Sequence, residues 1–118
     1  VTSAAPGSTR DLPHPASEDI RLESVLHALS DPMRLQVVRE LAADGDELSC
    51  SHFDLPVTKS TTTHHFRVLR ESGVIRQIYR GTAKMNALRK DDLDALFPGL
   101  LDSVLTAATR QADRPGSG

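Results

Sequence analysis

The stretch Ser60-Thr61-Thr62-Thr63-His64-His65-Phe66-Arg67-Val68-Leu69-Arg70-Glu71-Ser72-Gly73-Val74-Ile75 carries the reading of this chain. Thr62, Phe66 and Leu69 recur at i, i+4 and i+7, the period of one buried helix face. Ser60, Thr63, His64, Arg67 and Glu71 fall on the other side at the same spacing. That side is rich in hydrogen-bonding groups and poor in apolar ones. The helix is predicted over 58–72, and Gly73 follows it where a left-handed cap is wanted. His64 and His65 are neighbours, so they point about 100° apart. His64 then lies outward beside Arg67, and His65 lies nearer the buried side as a structural histidine. Metal-binding pairs on a helix are spaced i, i+4, which these two are not.

After the helix, Ile75-Arg76-Gln77-Ile78-Tyr79 and Ala83-Lys84-Met85-Asn86-Ala87-Leu88 flank Arg80-Gly81-Thr82, a glycine-containing hairpin turn with a basic tip. Upstream, Ser17-Glu18-Asp19 reads as a capped, acidic first turn leading into the stripe Leu22, Val25, Leu26 and Leu29. Asp31-Pro32 restarts the chain as N-cap and first helical residue before Met33, Val37, Val38 and Leu41, and Asp44-Gly45-Asp46 closes that helix. A short helix or turn is expected at about 48–54, bounded by Pro56. Downstream, Asp91-Asp92 opens a helix with Leu93 and Leu96 inward. Pro98-Gly99 interrupts it, and Leu100, Leu101, Val104, Leu105 and Ala108 continue the stripe. The order of helices, long helix, hairpin and helix makes the chain mainly α with a small β-hairpin wing, a winged helix-turn-helix.

Charge is segregated. Residues 58–90 hold eight basic residues (Lys59, Arg67, Arg70, Arg76, Arg80, Lys84, Arg89 and Lys90) against Glu71, a balance of +7. The remaining six basic and fifteen acidic residues give −9, so the net charge of −2 conceals a basic module in an acidic body. An anionic partner is implied, double-stranded DNA first, against the plainer reading of a solvated Arg-rich face. The basic segment lacks the broad aromatic and Leu face of an interfacial membrane helix. No apolar run approaches the roughly 18 residues of a membrane span, and residues 1–17 have no apolar core or basic lead of a secretory signal. At 118 residues the chain has room for one domain. Residues 1–17 and 113–118, rich in Pro, Gly, Ser and Ala, are expected to be flexible tails around a domain at 18–112. Cys50 is the only cysteine, which excludes an internal disulfide and fits a reducing cytoplasm.

Three segments in order resemble the ArsR-type (arsenical-repressor-like) winged helix-turn-helix transcription regulators. They are Ala28-Leu29-Ser30-Asp31-Pro32-Met33-Arg34-Leu35, the stretch 60–75 quoted above, and the hairpin ending at Leu88. The resemblance covers about residues 20–110 and implies a recognition helix at 60–70 that enters the major groove. It places Lys59, Ser60, Thr61, Thr63, His64 and Arg67 at the DNA, with Arg67 able to grip a guanine edge. Arg80 and Lys84, flanking the wing tip, are expected on phosphates. Ser60 is expected to share its role with helix capping. The resemblance further implies a homodimer joined through the first and last helices, acting as a repressor on an inverted-repeat operator.

Many relatives sense metals through a cysteine box or through His and Asp on the last helix. Here the comparable stretch is Glu47-Leu48-Ser49-Cys50-Ser51-His52-Phe53-Asp54-Leu55, with a single cysteine, and residues 91–110 hold neither His nor Cys. A four-ligand zinc site is not expected, nor any cofactor, and the effector is left unassigned. Cys50 stays a candidate redox residue, set against a buried inert thiol. No nucleophile elbow, glycine-rich phosphate loop or zincin motif is present, so catalysis is not expected. The competing function is a winged helix that docks protein, for which four aromatics, Phe53, Phe66, Tyr79 and Phe97, are a sparse complement.

Overall fold

The computed structural model describes residues 9–115, with side chains described from residue 12 onward. Residues 1–8 and 116–118, parts of the two expected tails, lie outside the described residues.

Helix α1 spans Leu22–Leu29 and α2 spans Pro32–Asp44. Ser30 ends α1 and Asp31 begins α2: the Asp31 Oδ1 accepts from the backbone N–H of Met33 at 2.8 Å and of Arg34 at 3.2 Å, with Pro32 at the first helical position. Two of the otherwise orphaned N–H groups are thereby satisfied. Gly45 closes α2 where the sequence reading ends it, and does so in the left-handed region at φ +77°. The opening of α1 differs from the sequence expectation. Ser17–Asp19 forms a separate 3-10 turn, and Arg21 precedes α1 without a side-chain cap. The acid in the first turn of α1 itself is Glu23.

The segment after α2, expected as a short helix or turn at about 48–54, holds a short strand as well as the turn. Leu48–Ser49 forms strand β2, followed by a 3-10 turn at Cys50–His52. Helix α3, Lys59–Glu71, is capped by Thr58, whose hydroxyl accepts from the N–H of Thr61 at 3.2 Å. Ser60 therefore has no capping role; the cap lies two residues earlier, outside the helix, where geometry requires it. Strands β3 (Ile75–Arg80) and β4 (Ala83–Leu88) pair antiparallel from Ile75↔Leu88 to Arg80↔Ala83. Gly81, at φ +63°, starts the two-residue turn in the backbone region that such tight hairpins need. Helices α4 (Lys90–Leu96) and α5 (Leu100–Ala112) are separated at Pro98-Gly99, as predicted.

The wing is larger than a hairpin. A further strand, Thr9–Asp11, is β1, and the sheet order is β1-β3-β4-β2, all neighbours antiparallel. The expectation of a flexible tail through residue 17 is thus corrected for 9–17. Thr9–Asp11 pairs with Ile78–Arg80, and the N–H of Leu12 donates to the carbonyl of Gln77 at 3.3 Å. The N–H of Gln77 in turn donates to His14 Nε2 at 2.8 Å, and Arg89 Nη1 donates to the carbonyl of Pro15 at 2.9 Å. Composition argued for disorder because the segment has little to bury. What orders it is backbone pairing to an open sheet edge, which composition does not register.

The core gathers Val25, Ala28 and Leu29 from α1, Val37, Val38 and Leu41 from α2, and Phe66 and Leu69 from α3. Ile20, Phe53, Leu55, Val74, Ile75, Leu93 and Leu101 complete it. Among the described residues, four large apolar side chains are exposed: Leu22, Leu26, Val57 and Leu96.

Candidate nucleic-acid interface

Helix α3 presents the predicted outward face. Lys59, Ser60, Thr63, His64 and Arg67 are exposed, while His65, Phe66 and Leu69 are buried. Arg67 Nη2 lies 3.3 Å from His64 Nδ1, one turn away on the same face. A guanidinium only donates, so Nδ1 of His64 is the acceptor in that pair. Thr61 departs from this group. It is half-buried, its N–H donates to Thr58, and its hydroxyl accepts from the Thr58 hydroxyl at 2.9 Å. Its side chain thus belongs to the helix cap.

Three contacts brace the buried side of α3. Arg34 of α2, itself buried, donates from Nε to the carbonyl of Ala28 at 2.8 Å and from Nη2 to that of His27 at 3.2 Å. These carbonyls end α1, where a cation also suits the helix dipole. The remaining amino group, Nη1, meets His65 Nδ1 at 3.2 Å, so the ring carries its proton on Nε2, 4.0 Å from Asp31 Oδ1. His65 is the structural histidine the sequence suggests. Burial pushes the Asp31 carboxyl up, but its two backbone N–H partners, with His65 and Arg34 nearby, more than offset this and hold its pKa below the ordinary value. The second brace is the Phe53–Phe66 ring pair, with centroids 5.4 Å apart. The third is Arg70 Nη1, which donates to Gln77 Oε1 at 2.7 Å and ties the end of α3 to the wing.

Gln77 leads into a polar cluster that sequence reasoning missed. Gln77 and Asn86 are fully buried and face each other in the β3–β4 register. Gln77 Nε2 donates to Asn86 Oδ1 at 2.8 Å, and Asn86 Nδ2 donates to the carbonyl of Leu48 and to Cys50 Sγ, both at 3.2 Å. The available signal was parity: Gln77 alternates with the buried Ile75, so a period-2 strand points both inward. Cys50 is half-buried and serves this cluster as an acceptor. Of the residues weighed as metal ligands, His52 lies 3.4 Å from Glu40 and stacks edge-on against Phe53. Among the described residues no three His, Cys, Asp or Glu side chains gather as a metal-binding group.

At the wing, Lys84 Nζ lies 5.9 Å from the centre of the Tyr79 ring, within cation–π range. Arg80 is exposed, and its Nε and Nη2 donate to Glu47 Oε1 and Oε2, both at 2.6 Å. Hydrogen bonding from Arg80 holds the Glu47 carboxyl below its ordinary pKa. Partial burial opposes this, and the charges of Arg80 and Arg76 assist it. The predicted wing cation is therefore engaged by a carboxylate.

Comparison with known proteins agrees with this geometry. A helix-turn-helix domain family model matches residues 29–78. The HTH-type transcriptional regulator YceK of Bacillus subtilis is 33% identical over 90 residues, which span 75% of this chain and 90% of the relative. An HTH-type transcriptional regulator of Methanocaldococcus jannaschii is 30% identical over 59 residues, 49% of this chain and 66% of the relative. Among solved structures, an ArsR family transcriptional regulator superposes with a TM-score of 0.57 at 21% identity. The superposition covers 80% of this chain and 98% of that one and shows a shared fold.

Proposed function

Because the chain belongs to the HTH-type transcriptional regulators, we propose that it is a DNA-binding regulator of the ArsR type, acting as a cytoplasmic homodimeric repressor that reads an inverted-repeat operator. The observation that carries this reading is the exposed face of α3. Lys59, Ser60, Thr63, His64 and Arg67 share it, and the braces behind it fix its orientation. A polar face on a rigid helix suits the major groove, where sequence is read by donors and acceptors on base edges. Thr61 supports the helix start through its two hydrogen bonds with Thr58. Arg80 and Lys84 supply phosphate contacts, which set register without reading bases. Two copies joined through α1 and α5 would present two α3 helices to successive major grooves, about 10 base pairs apart or a multiple of that. Among the described residues no helix is long and apolar enough to cross a membrane.

Selection of genomic fragments by the purified chain at about 150 mM salt, with and without reductant, tests the proposal. Enrichment of one inverted repeat supports it. Weak binding that vanishes with rising salt, with no repeat enriched, would favour a protein-docking winged helix. Enrichment only under reductant would make Cys50 the switch.

A further inference from the structure

Arg80 ends β3 at the wing turn, where the proposed function sends it to a phosphate. The fold holds it elsewhere. Its Nε and Nη2 form a two-pronged pair with Glu47, the same fork geometry that a guanidinium uses on a phosphate. One fork cannot face both groups with the same two donors. The register shows where Glu47 draws it. Glu47 immediately precedes β2, whose Leu48 pairs with Asn86 towards the base of the hairpin, whereas Arg80 pairs with Ala83 at its tip. The ion pair thus folds the guanidinium back along the sheet, away from Gly81 and Thr82. Half-buried Glu47 is the less mobile partner, so the Arg80 side chain is the one that must move to reach another anion.

We propose that Glu47 competes with DNA phosphate for the Arg80 guanidinium and so holds down the affinity of the wing for DNA. The inference rests on the reading of Arg80 as a phosphate contact. A pair this exposed is weak, which suits a competitor that DNA can displace. Its cost falls equally on every DNA sequence, because neither partner reads a base. Glu47 therefore sets the strength of backbone binding without choosing the operator.

The test is a double-mutant cycle on the full chain, using a mixed-sequence duplex about three helical turns long as the probe. Glu47→Gln is expected to bind about two- to fivefold tighter than the wild type. Arg80→Ala is expected to bind more weakly, with a slope of log affinity against log salt shallower by about 0.9. In the Arg80→Ala background, Glu47→Gln should bring no gain. Equal tightening with and without Arg80 would mean that Glu47 acts through overall charge, and weakening by Glu47→Gln would make it a brace; either overturns the inference. An Arg80→Ala loss with an unchanged Glu47→Gln would sink the inference and leave the phosphate contact standing. No effect of Arg80→Ala at all would remove the phosphate contact itself. Thermal melts accompany each variant. Should Glu47→Gln lose its fold, Glu47→Ala takes its place with the same expected sign.

Discussion

At the scale of single residues, the exposed Arg67 and the half-buried Asp31 make separable predictions. Arg67 is the one guanidinium on the outward face of α3 and lies beside His64. If it grips a guanine, Arg67→Ala weakens operator binding by about 1–3 kcal/mol and relaxes preference at one base position. Affinities measured on the operator and on single-base variants check this; equal weakening on every sequence would mark a phosphate contact instead. Asp31 titrates with folding. Its folded pKa is lowered, so the stability it adds is complete above the ordinary carboxylate range and is lost as pH falls through the lowered value. Asn also caps helices, so Asp31→Asn keeps the α2 cap but removes the ionisable group. Denaturant unfolding should show the wild type losing stability below about pH 4 more steeply than Asp31→Asn, with the two curves converging in acid. Parallel curves would deny Asp31 that role. The candidate face was legible because helical period separates polar from apolar positions, and that period placed His65 inward and His64 outward. The Glu47–Arg80 pair was not legible: 33 residues separate its partners, and the β2–β4 and β3–β4 pairings together bring them into one sheet.

At the scale of elements, the passage from α3 into β3 turns on Gly73. It sits at φ +87°, and a Cβ built there would lie 2.5 Å from Ile20 Cγ1 in the core. Gly73→Ala therefore combines a left-handed backbone with an overlap against a buried side chain and should cost about 2–4 kcal/mol. Gly45, at φ +77° with nothing within 4 Å, isolates the backbone part, and Gly45→Ala should cost only about 1 kcal/mol. Urea denaturation of both variants measures the difference; equal losses would show that Ile20 yields freely. Most elements announced themselves through this kind of local chemistry. Asp31-Pro32, Gly45, Gly73, Gly81 and Pro98-Gly99 each punctuate the chain where an element ends. The strands β1 and β2 carry no such signal. Each is two or three residues long and exists only because β3 and β4 offer it an edge. Ser17 shows the reverse error, a good capping residue whose helix begins several residues later.

At the scale of the whole molecule, the apolar residues left outside the core bear on assembly. Leu22 and Leu26, 43% and 45% exposed, stand one turn apart on α1, and Leu96 is 37% exposed at the end of α4. On α5 only Leu101 and Ala108 are buried, while Val104 and Leu105 are half-buried. Apolar stripes that a chain cannot cover alone are covered by an isologous partner in a two-fold dimer. The same dyad would fix the separation of two α3 helices at about 34 Å, one turn of DNA, so assembly and operator geometry become one prediction. A charge on the stripe tests it. Leu26 is already exposed, so Leu26→Glu adds no buried charge within the chain, and its helical circular dichroism should match the wild type. Burial of that carboxylate against a second copy would cost several kcal/mol, enough to shift the dimer to monomer at micromolar concentration. Sedimentation equilibrium should therefore give twice the chain mass for the wild type and the single-chain mass for Leu26→Glu. Binding to the inverted repeat should fall much more than binding to one half-site, because each monomer keeps its α3 and wing. A wild type that sediments as a monomer, or a Leu26→Glu variant that remains dimeric and binds the repeat normally, would move the interface away from α1.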